Sequence, residues 1–94
     1  MVDKMYDMKG KVVLITGGSR GLGRAMAHGF AKQGANIAIV SRKLDVCEET
    51  AKEIEALGVE AFPYAAHAAD WDDLGKMVEA VYERFGRIDV LINN

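Results

Sequence analysis

The sequence predicts an α/β fold: one parallel sheet with helices on both faces, built in the order β-α-β-α-β-α-β. Three observations carry this. Four short apolar runs spaced along the chain have the hydrophobic character of buried strands. Three segments of helical spacing separate them, and each is followed by a glycine, at positions 34, 58 and 86. The first strand meets the first helix through Thr16-Gly17-Gly18-Ser19-Arg20-Gly21-Leu22-Gly23, and glycines in such a loop let backbone come close to a phosphate.

Each element has its own reason. After the polar lead-in Asp7-Met8-Lys9-Gly10, Lys11 to Thr16 forms the first strand around Val12-Val13-Leu14-Ile15. The first helix starts near Ser19 to Gly21 and leads out through Leu22 to Lys32. Leu22, Met26 and Phe30 recur every fourth residue with Ala25 and Gly29 beside them, while Arg24, His28 and Lys32 take the opposite, solvated face. Gly34 caps it. Ile37 to Val40 is the second strand, ending at Ser41-Arg42. The second helix, about Leu44 to Leu57, turns Leu44, Cys47, Ala51, Ile54 and Leu57 inward and closes at Gly58; Glu48 and Lys52 pair on its outer side. Val59 to Ala65 is the third strand, and Pro63, which has no N–H for a ladder, puts it at a sheet edge. Asp70 caps the third helix, with Asp72 and Asp73 in the first turn where carboxylates suit the dipole. Leu74, Met77, Val78, Val81 and Phe85 form its buried stripe, and Gly86 ends it. Ile88 to Ile92 is the fourth strand, apolar apart from Asp89, followed by Asn93-Asn94.

Short connections call for parallel strands joined by right-handed crossovers. With strand three at the edge, the simplest winding is the Rossmann-type order 3-2-1-4, which sets the first two helices on one face and the third on the other. Strands one and four then adjoin at the switch point, so the glycine loop and Asn93-Asn94 open into one crevice. Strand four is as apolar as a central strand, yet its outer edge is unpaired in a sheet of four. Residues 1–94 are therefore expected to be the N-terminal portion of a larger domain, or to need a partner on that edge.

Composition narrows the function classes. Half of the 94 residues are hydrophobic, enough for one core. Folding a chain of this size hides only about 60–65% of its unfolded surface, a marginal share. The net charge of -2 and the lack of a basic block give no footprint for nucleic acid or an anionic membrane. No apolar run approaches the ~20 residues of a membrane helix. Cys47 stands alone, which excludes an internal disulfide and fits a reducing compartment; the expected location is cytoplasmic. Met1 to Lys9 alternates charged and apolar residues and does not read as a signal peptide.

The glycine motif separates possible phosphate sites. A P-loop requires Lys and then Ser or Thr after its last glycine, but Arg24 and Ala25 follow Gly23, so the catalytic lysine and the magnesium ligand are missing. The dinucleotide fingerprint G-x-G-x-x-G fails as well, because Met26 stands at its third glycine. T-G-x-x-x-G-x-G fits. With the lead-in Lys9-Gly10-Lys11, the turn Gly34-Ala35-Asn36, and Phe85-Gly86-Arg87-Ile88-Asp89 before Val90-Leu91-Ile92-Asn93-Asn94, the chain resembles the classical short-chain dehydrogenase/reductase family across essentially its whole length.

This resemblance implies a nicotinamide cofactor, a small-molecule carbonyl or alcohol substrate, and a homo-oligomer at full length. It implies that backbone around Gly17, Ser19, Arg20, Gly21, Leu22 and Gly23 lines the pyrophosphate and the nicotinamide side. Thr16 and Asn93 would tie strand one to strand four and shape the adenosine pocket. An NAD enzyme of the Rossmann type usually carries Asp or Glu at the end of strand two. Here Ser41 and Arg42 stand there, and a small hydroxyl beside a guanidinium suits a 2′-phosphate. Arg20 adds a second positive charge, so the expected cofactor is NADP, ahead of NAD.

Each residue has a plainer reading. Arg20 or Arg42 alone would pass for a solvated surface charge; their positions at loop and strand end together favour the phosphate. His67 follows strand three where the family often has Asp, and both a contact to the cofactor and a plain loop histidine stay open. His28 reads as solvent-exposed, Cys47 as a small core hydrophobe, and Trp71 and Tyr82 as packing residues. Asp70, Asp72 and Asp73 read as helix capping rather than a metal site.

The family's Tyr and Lys, four residues apart on one helix, and its Ser are not found here. Tyr6 is followed four positions on by Gly10, Tyr64 by Ala68 and Tyr82 by Gly86. No catalytic residue is therefore assigned to this chain. Two classes remain open: the cofactor-binding part of an NADP-dependent oxidoreductase, and a non-catalytic module that binds or senses NADP(H).

Overall fold

A computed structural model describes residues 7–67 and 69–94. The reading of Met1 to Lys9 falls largely on residues 1–6, outside the described range. The elements follow the expected alternation: β1 (Val12–Thr16), α1 (Gly21–Lys32), β2 (Asn36–Ser41), α2 (Leu44–Glu55), β3 (Ala61–Ala65), α3 (Trp71–Phe85) and β4 (Val90–Asn93). All pairings are parallel and the order is β3-β2-β1-β4. Pro63 thus lies in an edge strand, where its missing N–H breaks no second ladder.

β1 is buried along its whole length because both faces are covered. Val13 and Ile15 pack with Ala27, Ala31, Cys47 and Ile54 of α1 and α2. Val12 and Leu14 point the other way, toward Met77 and Val81 of α3. The period-two alternation of a strand thus feeds two cores, with two helices on one face and one on the other.

The helices correct several expectations about facing. In α1 the buried line is Gly23, Ala27 and Ala31; Met26 and Phe30 are only partly covered, and Leu22 is 68% exposed. Small residues let α1 lie close to the sheet, and the larger stripe flanks that contact. In α2, Cys47, Thr50, Ala51 and Ile54 are buried, whereas Leu44 and Leu57 are exposed because they sit at the first residue of the helix and beyond its end. Val78 on α3 is also exposed, as are Trp71 at 86% and Tyr82 at 49%, so neither aromatic serves as a core packing residue here. His28 is not simply solvated: its Nε2 lies 2.8 Å from Glu53 Oε1, and Arg24 bonds the same carboxylate, joining α1 to α2. Arg24 first, and His28 second, hold the Glu53 carboxyl below its ordinary range.

The third helix is capped as expected: Asp70 Oδ1 accepts from Asp72 N at 2.9 Å and Asp73 N at 3.3 Å, and Gly86 ends it at φ 78°. β4 begins later than expected, at Val90. The Asp89 side chain explains this, since its Oδ2 takes the N–H of Val12 at 2.8 Å and also receives Arg87 Nε at 2.8 Å. Arg87, then the Val12 amide, holds the Asp89 carboxyl below the usual carboxylate range. β4 forms the other edge, with Leu91 62% exposed. No helix among the described residues is long and apolar enough to cross a membrane.

Candidate functional site

The register sets Thr16 opposite both Val40 and Asn93, so the carboxyl ends of β1, β2 and β4 meet at one level. The chain leaves β1 through Gly17, whose φ of +73° suits glycine and whose N–H donates to Val40 O at 2.6 Å. Thr16 Oγ1 donates to Asn93 Oδ1 at 2.8 Å, which ties β1 to β4 as expected. Gly23 must be small: a Cβ there would lie 2.5 Å from Gly17 O and 2.7 Å from Asn94 Nδ2.

Two hollows open at this level. One, of about 410 Å³, brings Gly17, Ser19, Arg20, Ser41 and Arg42 together with Lys43. The other, of about 230 Å³ and bordered by Thr16, Val40, Ala66 and Asn93, shares Gly17, Ser41 and Arg42 with it. Gly21, Leu22 and Gly23 line neither. Gly21 and Gly23 belong to the start of α1, and Leu22 points to solvent. Ser41 Oγ accepts from Lys43 N at 3.3 Å and lies 2.9 Å from Cys47 Sγ, so this hydroxyl shapes the turn that carries Arg42 and Lys43.

The charge around the first hollow is one-sided. Arg20, Arg42 and Lys43 line it, and no acidic residue does. Elsewhere Arg24 is neutralised by Glu53, Arg84 by Glu60 and Arg87 by Asp89. Among the described residues, Arg20, Arg42 and Lys43 make no ion pair. A larger hollow of about 540 Å³ lies beside His67 and Trp71, but Asp70 and Asp72 border it, the wrong sign for an anion. His67 itself adjoins the site: with Arg42, Ala66 and Asp73 it lines a further recess, and its N–H donates to Asp73 Oδ2 at 3.1 Å. No group of three or more acidic, His or Cys side chains among the described residues is placed to hold a metal.

Sequence reasoning missed Lys43 and Val46 at this site, whereas Asn94 lines it as the strand order implied. Lys43 and Val46 arrive with the first turn of α2. Asn94 follows the last residue of β4, where its N–H donates to Thr16 O at 3.2 Å and its Nδ2 to Gly17 O at 3.3 Å.

Comparison with known proteins bears on what such an arrangement serves. The 3-oxoacyl-(acyl-carrier-protein) reductase FabG of Staphylococcus epidermidis is 41% identical over 85 residues, 89% of this chain and 35% of that protein. The structure of L-sorbose reductase from Gluconobacter frateurii, complexed with NADPH and L-sorbose, superposes with a TM-score of 0.88 at 43% identity, covering 94% of this chain and 35% of the reductase. An NAD+-bound xylitol dehydrogenase gives a TM-score of 0.87 at 31% identity, covering 89% of this chain and 32% of that one. This chain thus spans about a third of the length of the relatives it matches. A sequence profile of the family described as short chain dehydrogenase matches residues 11–94. On that match, and on a fold shared at this level of identity, the chain belongs to the short-chain dehydrogenase family of oxidoreductases.

Proposed function

We propose that this chain is the NADP(H)-binding, N-terminal portion of an enzyme that passes a hydride between nicotinamide and a carbonyl or alcohol carbon. Relatives hold either NAD+ or NADPH, so the choice of cofactor has to come from this chain's own residues. The observation that supports NADP is the set of uncompensated cations, Arg20, Arg42 and Lys43, around one hollow at the end of β2. A phosphate monoester carries about -1.5 to -2 charge at neutral pH, and a guanidinium matches its oxygens. An NAD site would instead carry a carboxylate at Ser41 to meet the ribose hydroxyls.

The residues fit the rest of the cofactor. Gly17, Ser19, Gly21, Leu22 and Gly23 would run along the pyrophosphate and toward the nicotinamide, where the amide end of α1 favours negative charge. Thr16 and Asn93 would shape the adenosine side, and Ser41 sets the turn beneath Arg42. When bound, the nicotinamide supplies or accepts the hydride. The Ser, Tyr and Lys that hold the substrate oxygen and move its proton would lie in the part of the enzyme beyond these residues, and a reducing, cytoplasmic setting suits the lone thiol Cys47.

The test is cofactor binding, which needs no knowledge of the substrate. Titration of the full-length protein with NADP+ and NAD+ by calorimetry should show NADP+ binding tighter by about tenfold or more. Arg42→Asp should weaken NADP+ by about a hundredfold and NAD+ by less than about threefold. Equal losses for the two cofactors would mean that Arg42 does not face a 2′-phosphate.

A further inference from the structure

α1 meets the sheet through Gly23, Ala27 and Ala31, the buried residues of the helix. Glycine and alanine make a smooth contact, with few side chains interlocking to stop the helix from shifting along its axis. Yet its position matters at its start. Arg24 N–H closes the first turn on Arg20 O at 3.2 Å, no side chain caps the helix, and the amides of Gly21, Leu22 and Gly23 find no partner among the described residues. What holds the helix lengthwise is polar. Glu53 of α2 takes Arg24 with both carboxylate oxygens, Oε1 from Nε at 3.0 Å and Oε2 from Nη2, and the same Oε1 lies 2.8 Å from His28 Nε2. One carboxylate thus grips two residues four apart on α1. An exposed ion pair usually contributes little, but a bidentate guanidinium within a network is the exception. The grip begins one residue after Gly23, whose fit against Gly17 and Asn94 leaves no room for a methyl. A shift of α1 would therefore move the free amides and the glycine loop together.

We propose that Glu53 is a positioning residue for the cofactor: by holding Arg24 and His28 it fixes where α1 stands, and so where the amides of Gly21, Leu22 and Gly23 meet the pyrophosphate. The inference rests on the nicotinamide-cofactor reading above but not on the choice of NADP, and it goes beyond that reading because Glu53 lies on α2 and borders neither hollow of the site. The pyrophosphate is common to NAD and NADP, so both cofactors must feel its loss alike. A pure charge effect makes a different forecast. Neutralising Glu53 would then free the Arg24 cation one turn from the anion and tighten binding, whereas neutralising Arg24 would loosen it. Loss of position loosens binding from either end.

The experiment measures NADP+ and NAD+ dissociation constants and urea midpoints for the full-length protein, for Glu53→Gln and Arg24→Gln, and for the two changes combined. Each single variant should weaken both cofactors by about three- to fivefold and by the same factor for each. The double variant should bind no more weakly than either single one, because the two side chains act through one another. Lower urea midpoints with unchanged dissociation constants would make the tie merely structural and overturn the inference. So would tighter binding by Glu53→Gln beside weaker binding by Arg24→Gln, which is the mark of charge alone. If the unaltered protein binds neither cofactor, the cofactor reading itself fails, and this inference with it; if it binds them and the variants bind equally well, only the role of Glu53 is lost.

Discussion

Asn94 closes on Gly17: its Nδ2 donates to the glycine carbonyl at 3.3 Å, while its own N–H donates to Thr16 O at 3.2 Å. The residue after β4 therefore buttresses the glycine loop after β1. Gly23 completes the contact from α1, because the space a Cβ would need there is taken by Gly17 O and Asn94 Nδ2. The loop is thus fixed both by the start of the helix that follows it and by a residue 77 positions away in sequence.

Gly23→Ala tests that arrangement. The added methyl would lie 2.5 Å from backbone oxygen and 3.0 Å from Gly18 Cα, and backbone has nowhere to rotate. Overpacking of this kind costs about 1–3 kcal/mol. Chemical denaturation of the full-length protein should show that loss, and the displaced loop should bind either nicotinamide cofactor at least about tenfold more weakly. Gly29→Ala, where a Cβ meets nothing within 4 Å, is the control and should be neutral or slightly stabilising.

Thr16→Val should be costly for a different reason. The hydroxyl is buried, with Thr16 6% exposed, and it donates to Asn93 Oδ1 at 2.8 Å. Valine keeps the shape and removes the donor, leaving a polar oxygen short of a partner at about 1–2 kcal/mol. Thr16→Ser keeps the donor. Unfolding midpoints in urea should fall for valine by more than for serine; the reverse order would mean that the methyl, not the hydroxyl, matters there.

Asp89→Asn should show its effect in the pH dependence of stability. The carboxylate takes the Val12 amide and the Arg87 guanidinium, which together depress its pKa. A group with a folded pKa below its unfolded value stabilises above the unfolded value, about 4, and that contribution disappears as pH falls through the lower folded value. Melting temperatures of wild type and Asp89→Asn should therefore differ at pH 7 and converge below about pH 4. A gap that persists unchanged in acid would assign the difference to amide geometry instead of charge.

Legibility followed the range of the interactions. The strand order was open to the sequence because Pro63 marks an edge and the apolar runs mark strands, both local signals. The Asp70 cap was equally local. Facing was harder: Leu22 and Leu44 fit an apolar stripe by spacing, yet they fall in the first two residues of α1 and α2 and are exposed, and only packing decides that. For the site, Thr16, Arg20 and Arg42 stood at recognisable strand and loop ends. Asn94 followed from the strand order, whereas Lys43 became visible only through the turn at Ser41, which brings it to the hollow that Gly17 lines. Trp71 read as a packing residue by type and is exposed because it opens α3 beside Asp70.

The outer edge of β4 leads to a last prediction. β4 pairs with β1 on one side, and its other side carries no strand among the described residues, while Leu91 stands 62% exposed. Unpaired N–H and C=O groups beside an apolar side chain template association with another strand. Residues 1–94 expressed alone should therefore associate as concentration rises, and Leu91→Lys should reduce that association, since an edge lysine opposes strand addition. Sedimentation across a hundredfold range of concentration, about 1 to 100 μM, reads this directly against the micromolar range in which exposed edges aggregate. A monomer throughout, unaffected by Leu91→Lys, would show that the edge is already protected and would weaken the case that further chain covers it in the enzyme.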